Sequence, residues 1–169
     1  MIELERHIAT VPDFPQPGIL FRDISPLLRN HFAATLAGLE ALLSPAEWQS
    51  IDAIAGIESR GFILGAALAA HLHKGFVLVR KQGKLPPPVV DQPYALEYGT
   101  GVLEMQPGSG AVLLVDDVLA TGGTLSASAE LCRRAGYTVS ALAVLVDLGL
   151  VPDYRWRGMA ARAAVIFRS

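Results

Sequence analysis

One run, Val112-Leu113-Leu114-Val115-Asp116-Asp117-Val118-Leu119-Ala120-Thr121-Gly122-Gly123-Thr124-Leu125, constrains the fold of this chain more than any other. Four consecutive apolar residues read as a strand buried on both faces. Two carboxylates follow, at the point where such a strand is expected to end, and a small-residue loop comes next. Leu125, Ala129 and Cys132 then recur at helical spacing. Strand, acidic pair, glycine loop and helix together make a phosphate site at the carboxyl edge of an α/β sheet. The first amides of the helix have no intrahelical partner and carry the positive end of its dipole, so they can hold a phosphate. Gly122 and Gly123 let the backbone approach closely, and Thr121 and Thr124 offer hydroxyls.

Carboxylates repel phosphate, so Asp116 and Asp117 need a reason to stand there. Hydroxyls or a metal, one ribose-width from the phosphate, supply one, and a phosphorylated pentose meets both demands. The loop lacks the Gly-Lys-Ser/Thr ending of a P-loop and the G-x-G-x-x-G of a dinucleotide fold, which disfavours an ATPase and a nicotinamide enzyme.

The chain has 169 residues, enough for a single domain, and no linker, repeat or low-complexity tract divides it. Apolar residues make up 51% and charged ones 18%, so a second subunit is expected to cover some apolar surface. A net charge of −2 without a basic run disfavours nucleic acid. The most apolar stretches are short or interrupted by Asp147, which disfavours a membrane span, and the N-terminus shows no signal-peptide pattern. The single cysteine, Cys132, reads as a buried apolar residue, and a cytoplasmic setting fits.

Ahead of the central run, residues 2–8 suggest a helical turn or two. Val11 to Pro26 carries four prolines, which exclude a continuous helix or a central strand. Its apolar residues, Phe14, Ile19, Leu20, Phe21 and Ile24, suggest an ordered hood over residues 11–27. Phe21 is either a core anchor or a ring for stacking a flat ligand. A helix capped by Asn30 is expected over residues 30–43, ended by Ser44-Pro45. A buried strand over residues 53–57 leads to Glu58-Ser59-Arg60-Gly61 and a helix from Phe62 to His71. This second strand-loop-helix unit puts Arg60 at the same sheet edge as the acidic pair, as an anion ligand or a solvated surface group. His71 and His73 do not have the spacing of two metal ligands on one helix face.

A strand over residues 75–79 ends in Arg80 and Lys81, and Lys84 follows in the loop. Three cations on an acidic chain suit a polyanion such as pyrophosphate. Period-two alternation in Tyr94 to Tyr98 and Val102 to Met105 suggests a hairpin turning at Gly99-Thr100-Gly101. With the proline-stiffened arm before it, this makes a lid over residues 81–105. Strands are expected over residues 138–148 and 163–167, and residues 153–159 have no assignment.

Val115 to Thr124 resembles the phosphoribosyl-pyrophosphate (PRPP) motif of the type I phosphoribosyltransferases. Further stretches resemble the adenine-specific members of that family: Pro12 to Pro15, Pro17 to Pro26, Ile54 to Phe62, Val79-Arg80-Lys81 with Gly83 to Pro86, and Leu96-Glu97-Tyr98-Gly99. The resemblance implies an α/β fold with a mostly parallel central sheet flanked by helices, an N-terminal hood and a β-hairpin lid. It implies that adenine and PRPP give AMP and pyrophosphate with Mg²⁺, in a cytoplasmic homodimer. Asp116 and Asp117 would engage the ribose hydroxyls, with Mg²⁺ nearby held mainly by PRPP and water. Ala120, Thr121, Gly122, Gly123 and Thr124 would hold the 5′-phosphate. Glu58, Ser59, Arg60, Arg80 and Lys84 would meet pyrophosphate, with a non-proline cis peptide before Ser59. Phe21 would stack on adenine, the Arg22 backbone would read its edge, and Leu148 would border it. Arg60, Lys84 and Glu97 would serve the chemistry, Glu97 by managing the proton of the attacking purine. Gln82 and the Pro86-Pro87-Pro88 run depart from the family pattern. A transferase for another purine and a non-catalytic PRPP or purine sensor are the alternatives.

Overall fold

The computed structural model describes residues 3–95 and 100–167. A 3-10 turn, Leu4–His7, precedes β1 (Ala9–Pro12), β2 (Leu20–Asp23), α1 (Ser25–Asn30), α2 (Phe32–Glu40) and α3 (Pro45–Gln49). Next come β3 (Ala53–Ile57), α4 (Arg60–His71), β4 (Gly75–Lys81), β5 (Val90–Ala95) and β6 (Thr100–Met105). The chain ends with β7 (Ala111–Leu119), α5 (Gly123–Arg134), β8 (Thr138–Asp147), β9 (Arg155–Trp156) and β10 (Met159–Ile166). Among the described residues no helix is long and apolar enough to cross a membrane.

The main sheet runs β5-β6-β4-β3-β7-β8-β10-β9. The inner strands β4, β3, β7, β8 and β10 are parallel, and β5, β6 and β9 extend the sheet antiparallel at its edges. This is the α/β, mostly parallel fold expected from the sequence. The unbroken apolar run of β7 has a simple cause. Leu113 and Val115 point into one core, with Leu64 and Leu68 of α4, while Val112 and Leu114 point into the other, with Leu125, Ala129 and Leu131 of α5. A strand covered on both faces needs apolar residues at both parities.

Several boundaries differ from expectation. β7 does not stop at the acidic pair, because β8 continues beside it: Asp116 pairs with Val144 and Leu119 with Asp147. The helix expected over residues 30–43 is broken at His31, whose φ of −137° is not helical, so Asn30 ends α1 instead of capping a helix. Ser44-Pro45 starts α3 as well as ending the preceding turn, through a capping box in which the Glu47 amide donates to Ser44 Oγ and the Ser44 amide to Glu47 Oε2. The lid hairpin begins earlier than the alternation suggested, and Ala95 pairs with Thr100, so Thr100 and Gly101 belong to β6. The unassigned residues 153–159 contain β9, the two-residue turn after it and the first residue of β10. The last strand starts at Met159 and ends at Ile166.

The proline-rich hood is more regular than its composition suggested. β1 and β2 pair antiparallel from Ala9 with Asp23 to Pro12 with Leu20. Pro12 closes the first strand, Pro15 and Pro17 lie in the connection, and the Gly18 amide donates to Asp13 Oδ1 at 2.7 Å. The prolines shorten the strands; they do not prevent pairing, because this hairpin is not a central strand pair.

Candidate active site

β7 delivers the acidic pair and the glycine loop to the carboxyl edge of the sheet. Gly122 is the N-cap of α5, with φ of +80°, and its carbonyl accepts the Ser126 amide at 2.9 Å. The left-handed turn aims the first amides of α5 outward, where an anion can sit. Next to it the Leu148 amide donates to the Leu119 carbonyl at 3.0 Å, so Leu148 stands beside the start of the loop. The end of β5 also reaches this loop: a Cβ on Gly123 would stand 3.9 Å from the Ala95 carbonyl oxygen.

Asp116 and Asp117 are each only 8% exposed. The Asp117 amide donates to Asp116 Oδ1 at 2.9 Å. α4 starts directly against them, since a Cβ on Gly61 would stand 3.1 Å from Asp116 Oδ1, so glycine is what lets the two units approach. Burial, and then the negative charge of Asp117, push the Asp116 carboxyl well above the usual aspartate range. Asp117 is balanced by Arg60, whose Nε lies 2.6 Å from Oδ2. Among the described residues that buried oxygen has no well-directed hydrogen bond. The Arg60 guanidinium also lies 5.4 Å from the centre of the Phe21 ring, and Phe14 packs edge-on against Phe21 at 5.0 Å. Hood, arginine loop and acidic strand therefore meet at Arg60.

Beside this junction the Glu58–Ser59 peptide is cis, as the resemblance implied. Glu58 is occupied by the neighbouring strand: Oε2 accepts from Arg80 Nε at 3.3 Å and from the Lys81 amide at 2.9 Å. The Arg80 guanidinium lies 5.7 Å from the Phe62 ring centre at the start of α4. The loop carrying exposed Lys84 is held by a residue that sequence reasoning missed. Buried Glu104 accepts amides from Gly83 at 3.0 Å and from Lys84 and Leu85 at 2.6 Å each. Burial opposes the ionisation of Glu104, but these three amides outweigh it and hold the carboxyl below the ordinary glutamate range. The available signal was a lone acid between Leu103 and Met105 in a hairpin strand.

Of the residues assigned to the base, Phe21 and Leu148 are half-buried. The Arg22 side chain turns away, donating to Thr10 Oγ1 and lying 4.0 Å from the centre of the Phe167 ring. Only its backbone is left for a ligand. Glu97 lies outside the described residues. A second residue missed from sequence is Tyr154, whose hydroxyl lies 2.7 Å from Ser126 Oγ next to the glycine loop. A groove of about 1090 Å³ lies between the 3-10 turn, α2 and β10, and is lined by neither the acids nor the glycine loop. Among the described residues no three His, Cys, Asp or Glu side chains gather into a metal cluster. The two aspartates nevertheless bring hard oxygen donors to this edge, which suit a magnesium ion that keeps most ligands from water and substrate.

A parallel sheet ending in an acid pair, a glycine loop and a helix N-terminus defines a protein that handles a phosphorylated sugar. The chain belongs to the phosphoribosyltransferase family: the model described as the phosphoribosyl transferase domain matches residues 29–152. Relatives narrow the class. The chain is 50% identical over 165 residues to the adenine phosphoribosyltransferase of Hydrogenovibrio crunogenus, covering 97% of this chain and 96% of the relative. The crystal structure of adenine phosphoribosyltransferase from Rhodothermus marinus superposes with a TM-score of 0.80 at 45% identity, covering 97% of this chain and 96% of that one. The enzyme from Saccharomyces cerevisiae, complexed with an imino-altritol bisphosphate and adenine, gives 0.85 at 34% identity, covering 95% and 96%.

Proposed function

We propose that this protein transfers the 5-phosphoribosyl group of PRPP to adenine, giving AMP and pyrophosphate. The observation that carries the site assignment is the position of Arg60, within 2.6 Å of Asp117 and 5.4 Å of the Phe21 ring centre. A base on Phe21 and a ribose at the acids would then be neighbours, as N-glycosidic bond formation requires.

Each residue has a task in that reading. The loop Ala120, Thr121, Gly122, Gly123 and Thr124 holds the 5′-phosphate with amides and hydroxyls. Asp116 and Asp117 meet the ribose hydroxyls. Breaking the C1′–O bond leaves positive charge on the ribose and negative charge on pyrophosphate. Ser59, Arg60, Arg80 and Lys84 face the latter, and Glu58 holds Arg80 and the end of β4 in place. The Arg60 guanidinium, anchored at Nε by Asp117, stands at the same edge as the proposed pyrophosphate site. Phe21 stacks on adenine, Leu148 borders it and the Arg22 backbone pairs with its N1/N6 edge. That donor–acceptor order rejects hypoxanthine, whose pattern is reversed. Glu97 manages the proton of the attacking purine. Mg²⁺, held mainly by PRPP and water near Asp116 and Asp117, neutralises pyrophosphate charge when bound.

The whole chain works as one catalytic unit, with residues 11–27 as hood and 81–105 as lid. Its apolar content and exposed Phe14, Leu20, Ile63 and Ile166 support a homodimer, which sedimentation would test. A cytoplasmic site of action completes the proposal, and cell fractionation would test it.

The test is a spectrophotometric assay of adenine and PRPP, with and without Mg²⁺, run beside hypoxanthine and guanine. AMP formation from adenine is expected, and no AMP or a preference for another purine overturns the reading. In the same assay Glu97→Ala lowers kcat by about a hundredfold or more with little change in KM for PRPP. Near-normal turnover removes Glu97 from the chemistry.

A further inference from the structure

The connection between β8 and β9 reaches back to the glycine loop through one side chain. The Tyr154 hydroxyl lies 2.7 Å from Ser126 Oγ and 3.4 Å from the Gly122 carbonyl oxygen. The ring closes on the same residue, since a Cβ on Gly122 would stand 2.3 Å from Tyr154 Cε2. Gly122 is the left-handed N-cap of α5, and its carbonyl also accepts the Ser126 amide at 2.9 Å.

A phenol has one proton to give. Donated to the Gly122 carbonyl, it leaves the Tyr154 oxygen to accept from the Ser126 hydroxyl. The order of donation is then Ser126 to Tyr154 to Gly122, and two donors hold the Gly122 carbonyl. Burial keeps the phenol pKa above its ordinary value, so the proton stays in place through neutral pH. Holding this carbonyl fixes the peptide that opens α5, whose first amides have no intrahelical partner. The ring excludes any side chain at Gly122, and the hydroxyl fixes the peptide plane.

We propose that Tyr154 is a positioning residue for the 5′-phosphate: without touching the phosphate, it locks the Gly122 turn so that the first amides of α5 converge on it. This deepens the phosphoribosyl-transfer reading and rests on it. Two consequences follow from the geometry. Loss of the hydroxyl weakens binding of anything carrying the 5′-phosphate and leaves adenine binding alone. Loss of the Ser126 hydroxyl acts through the same relay.

The test measures ribose 5-phosphate binding by calorimetry, and steady-state kinetics, for the full chain and for Tyr154→Phe, Ser126→Ala and the double variant. Tyr154→Phe keeps the ring against Gly122 and removes only the hydroxyl. Its ribose 5-phosphate Kd and PRPP KM rise about three- to tenfold, while kcat and adenine KM stay unchanged. The double variant is no weaker than Tyr154→Phe, because both changes cut one relay. Unchanged ribose 5-phosphate affinity in Tyr154→Phe overturns the proposal. So does an equal loss for adenine, which would mark general damage, or full additivity of the two changes. If Tyr154→Phe is too unstable to assay, Ser126→Ala decides by the same Kd criterion. A wild-type chain that binds ribose 5-phosphate but forms no AMP would sink the adenine reading and leave the tyrosine result standing.

Discussion

The glycine loop hangs from β7, whose residues Val112 to Val115 are fully buried, whereas Phe21 sits on the four-residue β2 beside Leu20, which is 51% exposed. One end of the proposed substrate is held by the middle of the sheet and the other by a hairpin outside it. The loop is bonded on two sides, by Leu148 after β8 and by Tyr154 from the β8–β9 connection, and the end of β5 lies close on a third. The hood meets the site through the Phe21 ring beside Arg60, with Phe14 packed against Phe21 within the hood. Holding a phosphate requires several amides converging on one point, which needs a rigid scaffold. Choosing a base requires one flat face and one hydrogen-bonding edge, which a short surface hairpin can present.

Four substitutions sharpen or break that contrast. Leu114→Ala opens a cavity under the acidic pair and lowers unfolding stability by about 2–5 kcal/mol, while Leu20→Ala on the hood changes it by under about 0.5 kcal/mol. Denaturant titration compares the two, and equal losses would show the hood to be part of the core. Next, Gly122→Ala meets both a left-handed backbone and the Tyr154 ring, and raises KM for PRPP by about tenfold or more, with adenine KM unaffected. Phe21→Ala does the reverse, raising adenine KM by about five- to tenfold through lost stacking while PRPP KM holds. If either change moves both constants alike, the two regions are not separable.

The last prediction lies on the pH axis. The Asp116 carboxyl is raised well above its ordinary value of 3.8 by burial and by Asp117. Between that ordinary value and the raised one the native state binds more protons than the unfolded state, so stability falls as pH rises through this window. Asp116→Asn keeps the acceptor for the Asp117 amide and removes the titration. Thermal melts should therefore show a higher melting temperature at neutral pH, a flatter decline above pH 3.8, and weaker PRPP binding. A variant with the wild-type pH slope would show that Asp116 ionises freely in the fold.

Much of this was legible before any coordinates. β3 falls on residues 53–57 as expected, because a short apolar run between a turn and a polar loop has few other readings. The glycine loop and the arginine loop were readable for the same reason: each follows a buried strand, and parallel strands put such loops on one edge. The pairing of the hood's two strands was not legible, because prolines argue against a central strand but say nothing about a paired hairpin outside the sheet. Glu104 and Tyr154 were missed because their tasks depend on partners about twenty to thirty residues away, Gly83 to Leu85 and Ser126.

By itself the sequence determined the strand-loop-helix layout of β7 and α5, the mostly parallel sheet and the expectation of an anion at the loop. Those follow from local periodicity and from backbone groups that every strand-loop-helix unit leaves unpaired. Only the tertiary structure decided that Arg60 is shared by Asp117 and Phe21, that Glu58 serves Arg80, and that Tyr154 closes on Gly122. These are contacts between segments brought together by the crossing order of the strands. Side-chain spacing along a chain carries no record of which distant residue lies across a 3 Å gap.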